Sequence, residues 1–213
     1  AVRHDWDVRH RRRDHAVRRP DNADDARTTH AVVVFRGNFD RLAGAPQAPD
    51  WLTVRADRAD LIARYNFPID RFQLEAFDAL DDGQHVVVAA PTGSGKTVVA
   101  EYGIEAAYRD GKRAFYTAPI KALSNQKYRD LVAMHGEDAV GLLTGDNSIN
   151  GDAPIVVMTT EVLRNMIYGR AGQLSDLGLV VLDEVHFLQD TFRGPVWEEV
   201  MIHLPHHVRL VCL

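Results

Sequence analysis

Val86-Val87-Val88-Ala89-Ala90-Pro91-Thr92-Gly93-Ser94-Gly95-Lys96-Thr97 anchors the architecture of the chain. It opens as an apolar, mostly β-branched run, the pattern of a strand covered on both faces. It then turns through two glycines and enters a stretch in which Val99, Tyr102 and Ala106 share one helical face, with Gly111 beyond its end. Strand, glycine turn and helix in that order form a P-loop pattern, with Ala90 where the first glycine usually stands. The glycines let backbone N–H groups turn inward around phosphate oxygens, and the helix N-terminus adds partial positive charge. Ala90, Pro91, Thr92, Gly93, Ser94, Gly95, Lys96 and Thr97 are therefore expected to bind a nucleoside triphosphate. Lys96 is placed to reach the β and γ phosphates, and the Thr97 hydroxyl to hold Mg²⁺.

Outward from this turn the punctuation is regular. Apolar runs at 86–89, 114–117, 140–143, 155–159, 179–182 and 208–213 read as strands, separated by helical stretches. One of these begins at Pro195, which suits a first helical turn, and carries Val196, Trp197, Val200, Met201 and Leu204 until Pro205 stops it. Strands joined by helices imply right-handed crossovers and a parallel sheet, hence an α/β fold with helices on both faces. Ligands in such sheets sit at the carboxyl ends of strands. There Asp183-Glu184-Val185-His186 follows the run 179–182 directly. A carboxylate ending a strand beside the P-loop strand can hold the Mg²⁺ hydration shell, a role assigned to Asp183. Glu184 is placed to orient or deprotonate an attacking water.

The whole chain of 213 residues is 46% hydrophobic and 26% charged, with a net charge of −5. That supports one sizeable core, excludes a wholly disordered chain, and does not advertise nucleic-acid binding, although a local groove can still be positive. No apolar run reaches the length of a membrane span. Cys212 is the single cysteine, which excludes an internal disulfide and a cysteine-based zinc site. With no secretory segment at the start, a cytoplasmic setting is the expectation.

Residues 1–50 read differently, as an irregular or disordered segment. The first thirty contain eight Arg and six Asp but no Lys, Glu, Leu, Ile, Phe, Gly or Ser. Without aliphatic periodicity they have no core face to bury. Three readings stand: a solvated tail, a basic arm around Arg11-Arg12-Arg13, or a GC-rich gene translated upstream of its true start or in a shifted frame, so that the segment is not native. Apolar residues return from Ala31, while Gly44, Pro46 and Pro49 keep the middle loop-like. Residues 51–213 are taken as the nucleotide-binding domain.

The P-loop and the Asp183–His186 box together resemble superfamily-two helicases. Further segments narrow the likeness. They are Phe67-Pro68-Ile69-Asp70-Arg71-Phe72-Gln73 upstream of the P-loop, Thr117-Ala118-Pro119-Ile120-Lys121-Ala122-Leu123-Ser124-Asn125-Gln126-Lys127 after the second core run, Thr144-Gly145-Asp146, and Met158-Thr159-Thr160-Glu161-Val162-Leu163-Arg164. In order and spacing over about residues 60–213 this set is similar to the Ski-like DExH-box RNA helicases, in a bacterial branch. The resemblance implies a RecA-like P-loop NTPase domain, the first of two motor lobes. It implies ATP and Mg²⁺ as cofactors, and catalytic roles for Lys96, Asp183, Glu184 and His186, the last coupling the nucleotide site to a later motif. Gln73 would read the adenine edge, and Phe67 or Phe72 would pack near the base. Pro119, Lys121, Ser124, Gln126, Thr144, Gly145, Asp146, Thr159, Thr160 and Glu161 would face single-stranded RNA through its backbone. A DNA-translocating repair helicase shares such a lobe, and a non-catalytic nucleotide-binding module is the alternative of another class. The family's Ser-Ala-Thr motif and its second RecA-like domain would follow Leu213, so the sheet is expected to be incomplete at its C-terminal edge and aggregation-prone there.

Overall fold

The structure, a computed structural model, describes residues 31–35, 58, 62–169 and 174–213. Within them eight strands form one sheet: β1 (Ala31–Phe35), β2 (His85–Ala89), β3 (Arg113–Ala118), β4 (Val140–Leu143), β5 (Ser148–Ile149), β6 (Ile155–Thr159), β7 (Leu177–Leu182) and β8 (Arg209–Cys212). Their spatial order is β1-β2-β8-β7-β3-β6-β4-β5. The six inner strands are parallel, and β1 and β5 pair antiparallel at the two edges.

Side chains alternate across the sheet, so neighbouring residues feed opposite cores. Tyr116, Val157 and Val181 join Phe77, Val99, Tyr102, Ile104 and Leu131 on one face, under the helices Arg71–Asp81, Lys96–Arg109 and Lys121–His135. Phe115, Val156 and Val180 join Leu163, Trp197 and Val200 on the other, under Thr160–Gly169 and Gly194–His203. Strands with both faces covered explain why their residues run apolar without alternation. All six expected core strands are present, β8 within the run 208–213.

Three details differ from expectation. First, Ala31–Phe35, inside the stretch expected to be irregular, is a strand. Its five residues, three of them valine, pair with β2 from Ala31 opposite Ala89 to Phe35 opposite His85. The rest of 1–50 lies outside the described residues. Second, β7 is not beside the P-loop strand. β8 lies between them, pairing Val86 with Val211 on one side and Leu182 with Cys212 on the other. Third, for the same reason the last strand is no exposed edge: both of its sides are hydrogen-bonded, and Val211, Cys212 and Leu213 are buried.

Candidate nucleotide and nucleic-acid site

The turn after β2 has the geometry of a phosphate cradle. Gly93 and Gly95 hold φ of 83° and 82°, a left-handed backbone that glycine adopts without steric cost. At Gly95 a side chain is barred twice, since a Cβ would also lie 2.6 Å from Nε2 of Gln73. Gly95 caps the helix Lys96–Arg109, its carbonyl accepting from the Val98 N–H at 3.1 Å. Lys96 and Thr97 thus form the first turn, where N–H groups lack intrahelical partners. The Ser94 hydroxyl is buried and has no hydrogen-bond partner among the described residues. Pro91, Thr92 and Gly93 are exposed at the rim.

Gln73 is 2% exposed, and its amide is engaged at both ends. Oε1 accepts the Asp70 N–H at 2.8 Å, closing a capping box on the helix Arg71–Asp81, and Nε2 donates to the Gly95 carbonyl at 2.9 Å. In this structure Gln73 therefore braces the P-loop, where the resemblance implied a side chain reading adenine. Phe67 is 46% exposed and leans on Tyr65 at 5.3 Å between ring centroids. The Tyr65 hydroxyl donates to Glu101 of the P-loop helix at 3.0 Å. Phe72, by contrast, is a core residue.

The acidic turn sits one strand away, after β7. The ladder between β3 and β7 runs on to it: the Asp183 N–H donates to the Thr117 carbonyl at 3.0 Å. Both carboxylate oxygens of Asp183 are also held. Oδ1 accepts the Glu184 N–H at 2.9 Å, and Oδ2 accepts the hydroxyl of Tyr116 at 2.6 Å. Glu184 has φ of 55°, strained for a residue with a Cβ. The Val185 N–H, donating to the Leu213 carbonyl at 2.8 Å, holds the turn from the β8 side. The carboxylate of Glu184 lies 3.1 Å from Nδ1 of His186, whose ring is largely exposed and packs on Phe187. A strand spacing of about 4.8 Å places β2 and β7 roughly 10 Å apart. The two turns therefore face one another across the end of β8.

Tyr116 went unnoticed in the sequence. Its only signal there is a phenol in a strand otherwise read as apolar. Burial first, then the charge of Asp183, pushes its pKa well above the ordinary tyrosine value, so the hydroxyl remains a donor. Lys127 lies 5.7 Å above its ring. Burial also pushes the Glu101 carboxyl up, against the Tyr65 hydrogen bond and the Lys127 charge.

On the remaining rim the residues expected to face nucleic acid divide into two groups. Lys121 and Gln126 are exposed on the helix Lys121–His135, and Gly145 and Asp146 are exposed after β4. Lys121 is ion-paired with Asp146, which joins the two segments. That hydrogen bond holds the exposed Asp146 carboxyl below its usual range. Thr144 is buried and its hydroxyl accepts the Asn147 N–H, shaping the loop. Thr159 and Glu161 are partly exposed. Pro119, Ser124, Thr144 and Thr160 correct the expectation, for all four are buried in this structure. Ser124 spends its hydroxyl on the carbonyls of Ile120 and Met158, docking its helix on β6. Thr160 starts the following helix with its hydroxyl turned inward. A groove of about 580 Å³ runs along this rim between residues 143–148 and Val162, Asn165, Met166 and Gly169.

A phosphate cradle, an acidic turn one strand away and a groove farther along the carboxyl ends of one parallel sheet agree with a family model, described as DEAD/DEAH box helicase, that matches residues 70–213. The chain belongs to the DEAD/DEAH box helicase family. Its relatives carry names from the Ski-like group. The probable helicase HelY of Mycobacterium leprae is 56% identical over 162 residues, which are 76% of this chain and 18% of HelY. The antiviral helicase SKI2 of Saccharomyces cerevisiae is 51% identical over 147 residues, 69% of this chain and 11% of SKI2. Among solved structures, the helicase Lhr of Mycobacterium smegmatis, bound to ssDNA and AMP-PNP, aligns with a TM-score of 0.56 at 26% identity, covering 76% of this chain and 24% of Lhr. The chain thus spans less than a fifth of the helicases it matches by sequence. Among the described residues no helix is long and apolar enough to cross a membrane.

Proposed function

We propose that this helicase domain is the ATP-binding motor lobe of an ATP-dependent RNA helicase, acting in the cytoplasm on single strands through their backbone. The observation that carries the reading is the pair of turns at the ends of β2 and β7. One offers left-handed glycines, a helix N-terminus and a buried Ser94 hydroxyl without a partner among the described residues. The other offers a carboxylate held by backbone and phenol. Thr97 and Asp183 supply hard oxygen donors, the chemistry Mg²⁺ accepts when phosphates complete its shell. Bound there, Mg²⁺ would neutralise charge developing on the transferred phosphoryl group. The chain's own residues do the rest: Lys96 binds the β and γ phosphates, and Glu184 orients the attacking water and takes its proton. His186 links Glu184 to the surface that a second RecA-like lobe would close upon in the whole protein.

RNA is favoured by relatives called ATP-dependent RNA helicases, among them DExH15 of Arabidopsis thaliana, 52% identical over 163 residues. The ssDNA in the Lhr structure supports the second reading, a DNA translocase. The test is Mg-ATP turnover and strand-binding anisotropy of this chain with single-stranded RNA and DNA of one sequence, beside Lys96→Ala. RNA binding at least threefold tighter than DNA, with any turnover lost in Lys96→Ala, is the expected result. Equal or tighter DNA binding contradicts the RNA reading. Turnover that survives in Lys96→Ala contradicts the nucleotide site.

A further inference from the structure

The Mg²⁺ carboxylate of the proposed site is not left to set its own orientation. Oδ1 of Asp183 is fixed by the next residue's N–H, a contact any such turn can make. Oδ2 is fixed from a different strand, by the Tyr116 hydroxyl at 2.6 Å. Tyr116 is 1% exposed and stands in the register of β3 against Val181, two residues before Asp183. Its ring therefore points up the sheet toward the acidic turn and is immobilised by the core on that face. Lys127 projects from the helix Lys121–His135, and its ammonium lies over that ring. The same helix carries Lys121 and Gln126 on the nucleic-acid rim. A cation over the ring draws density from it and makes the phenol a stronger donor.

We propose that Tyr116 is the positioning residue for Asp183: its hydroxyl sets the carboxylate plane that meets Mg²⁺, and Lys127 ties that setting to the nucleic-acid helix. This rests on the reading of Asp183 as the Mg²⁺ carboxylate. Groups that orient a metal's ligands are commonly worth tenfold or more in metal affinity, because a freely rotating carboxylate must be ordered on binding.

The test measures how far Mg²⁺ tightens binding of a fluorescent ATP analogue to this chain. It compares wild type, Tyr116→Phe, Asp183→Asn, the double variant and Lys127→Gln, each checked for its folded spectrum. Tyr116→Phe should leave metal-free nucleotide affinity within twofold and cut the Mg²⁺ enhancement about tenfold. In the Asp183→Asn background it should add nothing, since the group it positions is gone. Lys127→Gln, at a half-buried position, should cut the enhancement about twofold to threefold. If Tyr116→Phe does not fold, Lys127→Gln decides: an unchanged enhancement overturns the proposal. A folded Tyr116→Phe with wild-type enhancement overturns it while leaving Asp183 in place. So does an equal loss with and without Asp183. If Asp183→Asn itself keeps full enhancement, the proposal and the underlying reading of the site both fall.

Discussion

Gln73 shows how much of this site is held by single side chains. Its amide joins two elements that the chain brings together only by folding, the start of one helix and the P-loop before another. Gln73→Ala strands the Asp70 N–H and removes one of the two hydrogen bonds to the Gly95 carbonyl, and should cost about 1–3 kcal/mol. Urea unfolding reads this directly, and a change under about 0.5 kcal/mol would show that the brace is dispensable. Nothing in the sequence marks Gln73 as buried. A glutamine followed by Leu74 and Glu75 reads as surface until its two partners are seen. Lys121 and Asp146 illustrate the opposite case, exposed residues whose pairing places a carboxylate where phosphate oxygens would approach. Asp146→Asn should tighten single-strand binding about twofold to threefold at low salt and steepen its salt dependence by about one counterion. Weaker binding in anisotropy would mean that Asp146 itself contacts the strand.

Between β2 and β8 a histidine takes part in pairing. Nδ1 of His85 accepts the Leu210 N–H at 3.1 Å, so the neutral ring is the one that fits. Burial, and then the Arg209 charge, hold its pKa below the ordinary value of 6.5. Burial likewise lowers that of His135, against the pull of Glu105. The sign follows: an unfolded chain takes up these protons near pH 6.5 while the folded one resists, so the unfolded state binds more protons and stability rises with pH. Stability should be full above about pH 7 and fall as pH drops below 6.5. Urea midpoints at pH 7.5 and 5.5 check it, and His85→Gln should flatten the difference, whereas equal wild-type midpoints would contradict it. The six inner strands were legible because burial on both faces makes their residues apolar throughout. The two edge strands were not. β5 has only two residues, both exposed, and β1 lies beyond a long polar stretch that gives no hint of its partner.

For the molecule as a whole, the order of strands matters more than their number. Insertion of β8 between β2 and β7 sets the gap across which the P-loop faces Asp183, and no local pattern in the sequence encodes it. Long-range pairing is a property of the assembled sheet. The P-loop and the acidic box, however, were legible as a linked pair, because each needs a strand end and the fold supplies both at one edge. The same assembly explains why Pro119, Ser124, Thr144 and Thr160 are buried although their segments reach the rim: Ser124 and Thr160 lie on the inward sides of their helices, Pro119 in the turn between β3 and its helix, and Thr144 in the loop after β4. The proposed function requires that the turn after β2 and the turn after β7 act as one Mg-nucleotide site. The most direct measurement is calorimetric titration of ATP into this chain with and without Mg²⁺, for wild type, Lys96→Ala and Asp183→Asn. Wild type should bind, and bind more tightly with Mg²⁺. Lys96→Ala should lose at least tenfold in affinity, and Asp183→Asn should lose the Mg²⁺ effect alone. Binding that is indifferent to Mg²⁺ and to both substitutions would contradict the proposed function.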